Sequence, residues 1–123
     1  MIGYENTNIY QNLGYFIIES GDLNKALEFN AKAYAFNNTN NIIMDNYANS
    51  LHLTGDIEKA REIYEQLIEK EPTFPDAYFN YAKVLIEQGE KEIAMKFLEK
   101  ALTKNFTYLS TITKEQILET MKV

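Results

Sequence analysis

The sequence predicts an all-α protein made of three consecutive helix pairs, each about 34 residues long, closed by a shorter final helix. Three observations predict it. The turn dipeptides Gly21-Asp22, Gly55-Asp56 and Gly89-Glu90 are evenly spaced, the second pair standing as far from the first as the third does from the second. The same offset recovers small-residue series (Gly14, Ala48, Ala82; Ala26, Ala60, Ala94) and large apolar ones (Leu13, Tyr47, Tyr81; Ile17, Leu51, Leu85; Phe29, Ile63, Phe97). Between the turns the apolar residues recur at helical spacing. Self-similarity at one fixed period marks stacked supersecondary units, each burying a face against the next.

In the first unit Tyr10, Leu13, Gly14 and Ile17 share one helix face, and in the third Tyr78, Tyr81, Ala82 and Leu85 share its equivalent. Each glycine then offers the left-handed conformation that ends a helix without a Cβ penalty. The acidic residue after it stands where the next helix's N-terminus favours negative charge. Second amphipathic segments follow, through Ala26, Phe29 and Ala33, then Ala60, Ile63, Tyr64 and Leu67, then Ala94, Phe97, Leu98 and Ala101. The paired small residues let two backbones cross closely.

The boundaries fall at turn chemistry. Asn37-Asn38-Thr39-Asn40 is a turn-forming cluster. Glu71-Pro72 ends a helix, because the residue before proline avoids the helical region, and Pro75 can open the next. The units are therefore residues 7–40, 41–74 and 75–108, followed by a capping segment at 109–123, all within one domain spanning 1–123. In that segment Thr113-Lys114-Glu115-Gln116 reads as a capping box, and Ile117, Leu118 and Met121 form the apolar stripe expected to cover the open flank of the array.

Composition limits the partners. The 123 residues are 46% apolar and carry a net charge of −6, with a pI near 4.8. Nucleic-acid backbones and anionic membranes both select clustered Lys and Arg, so neither is an expected partner. No apolar run approaches the ~20 residues needed to span a bilayer, and residues 1–6 do not have the pattern of a secretory leader. With no cysteine, the chain is expected to be soluble and cytoplasmic.

The units resemble tetratricopeptide repeats over nearly the whole chain. The first carries Tyr10, Leu13-Gly14, Ile17, Gly21-Asp22, Ala26, Phe29 and Ala33 at the motif offsets; the second Met44, Tyr47-Ala48, Leu51, Gly55-Asp56, Ala60, Tyr64, Leu67 and Pro72; the third Tyr78, Tyr81-Ala82, Leu85, Gly89-Glu90, Ala94, Phe97 and Ala101. Asn38 and Phe106 replace the closing proline, and Leu67 replaces a small residue. The resemblance implies a right-handed superhelical solenoid of three antiparallel helix pairs, with the first helices lining a concave groove that binds peptides or proteins.

On that reading the lining includes Gln11, Asn12, Tyr15 and Glu19 from the first unit, Asp45, Asn46 and Asn49 from the second, and Asp76, Phe79, Asn80, Lys83 and Glu87 from the third. Asn12, Asn46 and Asn80 follow one another at the repeat period. Their amides match the donor and acceptor of a peptide unit, so a ladder of them can hold an extended backbone. It resembles the asparagine ladder in the tetratricopeptide region of the O-linked sugar transferase. The alternative is that the three amides simply face water. Four lining carboxylates against Lys83 alone predict a neutral to basic partner. The carboxylate clamp of co-chaperones needs Lys and Asn at Gln11 and Tyr15, Asn at Asn46, and Lys and Arg at Asp76 and Asn80. One of the five is met, so a chaperone C-terminal tail is not the expected ligand.

No nucleophile, base, cofactor or metal motif assembles. His52 is the only histidine, and Glu58, Glu62, Glu65, Glu69 and Glu71 form a charged helix face balanced in part by Lys59, Arg61 and Lys70. The expected function is a non-enzymatic peptide- or protein-binding scaffold without cofactors. The rival expectation is a self-association module.

Overall fold

The computed structural model describes residues 6–106 and 112–122; the readings made above for residues 1–5, 107–111 and 123 lie outside them. Seven helices follow one another: α1 (Thr7–Glu19), α2 (Leu23–Phe36), α3 (Asn41–Leu53), α4 (Ile57–Glu69), α5 (Pro75–Glu87), α6 (Lys91–Leu102) and α7 (Lys114–Met121). No strand occurs among the described residues. The starts of α1, α3 and α5 are evenly spaced at the period read from the turns, and so are those of α2, α4 and α6. No helix among the described residues is long and apolar enough to cross a membrane.

Local chemistry sets these boundaries. Asn6 and Asn40 cap α1 and α3, accepting the N–H groups of Ile9 (3.0 Å) and Ile43 (2.9 Å). The third member of that series is Phe74, which makes no side-chain cap, and Pro75 opens α5 instead. Asp22 and Asp56 accept from the N–H groups of Lys25 (3.2 Å) and Lys59 (3.3 Å) at the second-helix starts. Glu90 occupies the equivalent place without such a bond.

Gly21, Gly55 and Gly89 have φ of 88°, 101° and 82°. At Gly55 an added Cβ would meet no atom within 4 Å, so the constraint is conformational and not steric crowding. Gly55→Val should therefore lower stability by about 1–2 kcal/mol or more, read as a fall in the urea midpoint; an unchanged midpoint would rule out the left-handed turn. Glu71 lies past the end of α4 and outside the right-handed helical region, as the following proline implies. It is left-handed (φ 51°), and its N–H and that of Lys70 donate to the carbonyls of Ile68 (2.9 Å) and Leu67 (3.0 Å). Pro72 disfavours the right-handed helical region at Glu71, and the left-handed one still allows these closing bonds.

The chain divides into two compact units, one ending at Tyr64 and one beginning at Glu65. In the first, α1, α2 and α3 pack on one another. Its core joins Tyr10, Ala33 and Ile43, with Phe29 and Tyr34 against them. Tyr10 stacks on Phe29 and Phe36 at 5.5 and 5.0 Å, and Tyr34 on Tyr47 at 4.8 Å. Leu13 departs from its series: it is 45% exposed, whereas Tyr47 is 8% exposed under the cover of α2.

In the second unit α5 packs on α6 and α6 on α7. Tyr81 meets Phe97 edge-on at 4.9 Å. The Tyr78 hydroxyl donates to the Pro72 carbonyl (2.9 Å), and burial, with the Glu71 carboxylate adding to it, pushes its pKa up, so the hydroxyl keeps that proton. The capping box forms as expected: Thr113 Oγ1 accepts from the Gln116 N–H at 3.1 Å, and Gln116 Oε1 from the Thr113 N–H at 2.8 Å. The expected three-residue stripe is narrower. Ile117 is fully buried and Ile112 joins it, but Leu118 is 49% exposed, because one residue along a helix turns the side chain by about 100°.

Candidate functional site

The candidate residues stand on the first helices of the repeats, and within the first unit their framing starts at Gly14. With no side chain on Gly14, Asn30 of α2 reaches the backbone of α1. Asn30 Nδ2 donates to the Gly14 carbonyl (3.3 Å) and to Ser50 Oγ (2.9 Å) on α3. Ser50 Oγ donates to the Asn46 carbonyl one turn back (2.9 Å), and Asn46 Nδ2 donates to the Gln11 carbonyl of α1 (3.1 Å). This relay ties the three helices together through donors that would be costly to bury unpaired, although Asn30 Oδ1 within it has no donor.

The relay places the residues expected on α1 and α3. It joins Gln11 and Asn46 directly, and Asn46 and Asp45 are nearly enclosed, at 6% and 7% exposure. The Asn46 amide, expected to face a ligand, also fastens α3 to α1. Asn12 is exposed. Tyr15 is half-buried, its hydroxyl donating to Glu19 one turn on (3.1 Å). Asn49 lies one turn along α3 from Asn46, and its Oδ1 is enclosed without a hydrogen-bond partner.

On α5, described within its own unit, Phe79 and Asn80 are each 6% exposed and Asp76 is 5% exposed. The Lys83 ammonium sits over the Phe79 ring, 5.0 Å from its centre, as a cation–π pair. Among the described residues, five of the six buried polar or charged ones, Asp45, Asn46, Ser50, Asp76 and Asn80, belong to α3 and α5. Charged residues of the second helices, such as Glu62 and Lys96, are exposed. Polar groups held under cover on first helices can hydrogen-bond a ligand with little competition from water. Among the described residues no three acidic, histidine or cysteine side chains gather as a metal site requires.

Sequence reasoning missed Asn30 and Ser50. Asn30 belongs to the series that continues with Tyr64 and Leu98, and Ser50 stands between Phe16 and Val84 in its own. A polar residue interrupting an otherwise apolar series was the available signal.

The tetratricopeptide repeat profile matches residues 51–107. No characterised protein matches the chain by sequence. Among solved structures, the chain is similar to YrrB, described as a tetratricopeptide-repeat protein with an unusual peptide-binding site, at 20% identity and a TM-score of 0.74, covering 98% of this chain and 59% of that one. The chain thus spans less than two thirds of YrrB. It is similar to the tetratricopeptide-repeat domain of Sgt2 from Aspergillus fumigatus at 19% identity and a TM-score of 0.72, over 94% and 76% of the two chains. A tetratricopeptide-repeat protein from Parabacteroides merdae matches at 26% identity and a TM-score of 0.64, over 95% and 46%.

Proposed function

We propose, from the premise that the chain belongs to the tetratricopeptide-repeat family, that it holds an extended peptide segment of a partner protein against its first helices. That the fold is a protein-interaction scaffold follows from the family; the peptide, its chemistry and the residues that hold it are our reading. One observation carries it. Asn49 Oδ1 is an enclosed acceptor without a donor, on the face that also holds Asp45 and Asn46. A buried polar atom left without a partner is uncommon in native proteins. A backbone N–H of a bound segment would satisfy it. YrrB, described as having a peptide-binding site, supports the same reading.

The segment should be neutral to basic, since Glu19, Asp45, Asp76 and Glu87 outnumber Lys83 in the expected lining. It should be held through its backbone by Asn12, Asn46, Asn49 and Asn80, with Gln11, Tyr15 and Phe79 beside them. A chaperone C-terminal tail fits poorly, because its carboxylate would meet Asp76. No cofactor or catalytic step enters this reading.

A peptide-library screen against the whole chain, followed by anisotropy titration of the best binder, tests it. Asn49→Ala should weaken binding by about 1–3 kcal/mol, because truncation strands a donor of the peptide. It should leave the urea midpoint unchanged, since Asn49 Oδ1 has no internal partner to lose. Alanine at Asn12, Asn46 and Asn80 together should weaken binding further; the Asn46 replacement also removes the bond to Gln11, so folding is checked alongside. Binding as tight as the parent's in both variants would sink the proposal.

A further inference from the structure

We propose that the exposed face of α1 centred on Leu13 and Phe16 is a homotypic docking surface that pairs with α1 of a second copy of this chain. Leu13 and Phe16 are 45% and 64% exposed. They are the only two exposed large apolar residues within one helical turn of each other among the described residues. The chain itself shows what kind of surface this is. Their equivalents on α3, one repeat further on, are Tyr47 and Ser50, which are 8% and 1% exposed. Helix α2 covers that pair, through the Tyr34 ring on Tyr47 and Asn30 on Ser50. The first repeat thus presents an interface-type face that nothing in the described residues covers.

Two features select the occupant. A further repeat stacking as α2 does on α3 would meet a small side chain where Ser50 sits, whereas α1 carries the bulk of Phe16 there. A knob of that size suits a partner that offers a knob and a hole in return, which a two-fold pair of α1 helices does, each Phe16 lying over the other's Leu13 face. Charge points the same way. Contact between identical faces sets like charge against like, a severe handicap for a chain of net charge −6. Glu19 is the only charged residue of α1, whereas α4 carries Glu58, Lys59, Arg61, Glu62, Glu65 and Glu69. A helix of this length spans about 20 Å, so the pair would bury less than the roughly 1,200 Å² of a standard stable interface. The dimer should therefore be weak, with a Kd in the range of about 10 µM to 1 mM.

Sedimentation equilibrium of the full chain from about 5 µM to 1 mM brackets that range. The weight-average mass should rise from one chain towards two, Phe16→Glu and Leu13→Glu should hold it at one chain, and Leu118→Glu, an exposed position on α7, should behave as the parent. Circular dichroism checks that the variants keep their helices. A parent that stays at one chain, or a mass that climbs past two, would overturn the proposal. So would association that survives Phe16→Glu or is lost equally in Leu118→Glu. The inference does not rest on the peptide-binding reading: Asn49→Ala, on α3, should leave the weight-average mass as in the parent while weakening peptide binding, so the two can fail separately.

Discussion

Truncating Ile117 to alanine is expected to lower stability by about 2–5 kcal/mol, the range for deleting a buried isoleucine side chain and leaving its cavity. Ile117 is fully buried and is the one buried residue of α7. Helix α7 has eight residues, too few to persist in water on its propensity and capping box alone. Its helical state thus depends on docking to α6, and docking depends on Ile117, with Ile112 also buried. Loss of the side chain should release α7 as well as open a cavity. Amide exchange should speed up first in residues 114–121, and a dye that binds apolar surface should report the uncovered face of α6. Deleting 109–123 should go further, to association or aggregation. If Ile117→Ala keeps the parent's urea midpoint and exchange pattern, α7 is not held by this contact.

Replacing Gly14 with valine is expected to cost about 3 kcal/mol, at the upper end for overpacking a filled core. A Cβ at this position would overlap Asn30 Oδ1 and stand 2.9 Å from Asn46 Nδ2. Asn30 cannot simply step aside, because it is fully buried and its amide holds both the Gly14 carbonyl and Ser50. Displacing it would break the relay that fixes Asn46 on Gln11, so α1 should loosen with the core. The coupled variant is informative. Asn30→Ala removes the amide that the added Cβ would overlap, so Gly14→Val with Asn30→Ala should be more stable than the sum of the two single losses, an interaction of at least about 1 kcal/mol for residues in contact. Urea unfolding of the parent, both single variants and the double variant measures it. Additive losses would show that Gly14 is not constrained by Asn30.

The architecture was legible because it rests on local rules repeated at one period. The three Gly-acid turns, the helical spacing of apolar residues and the Thr113–Gln116 capping box each act within a few residues of chain. Their outcome needed no knowledge of neighbours: the helix starts recur at the period of the turns, and the glycines take positive φ. The same locality explains the smaller errors. Leu118 was grouped with Ile117 on apolarity, but which of two adjacent residues faces inward depends on where α6 lies. Period groups Leu13 with Tyr47 and Tyr81, but a series does not say which of its members another helix covers.

Period alone determined the fold class, the number of repeats and the helices on which a binding surface can stand. Tertiary packing decided which side chains of that surface are held, and by what. Asn46 reads in the sequence as one rung among three; only the approach of α1 gives its amide the Gln11 carbonyl. Gly14 reads as one small residue beside Ala48 and Ala82; only the arrival of Asn30 from α2 makes that place too small for a methyl group. Asn49 reads as one asparagine among many, until the helices close around its Oδ1 and leave it without a donor. Hydrogen bonds act over about 3 Å between groups that can be far apart in sequence, so their partners are fixed only when the helices are packed.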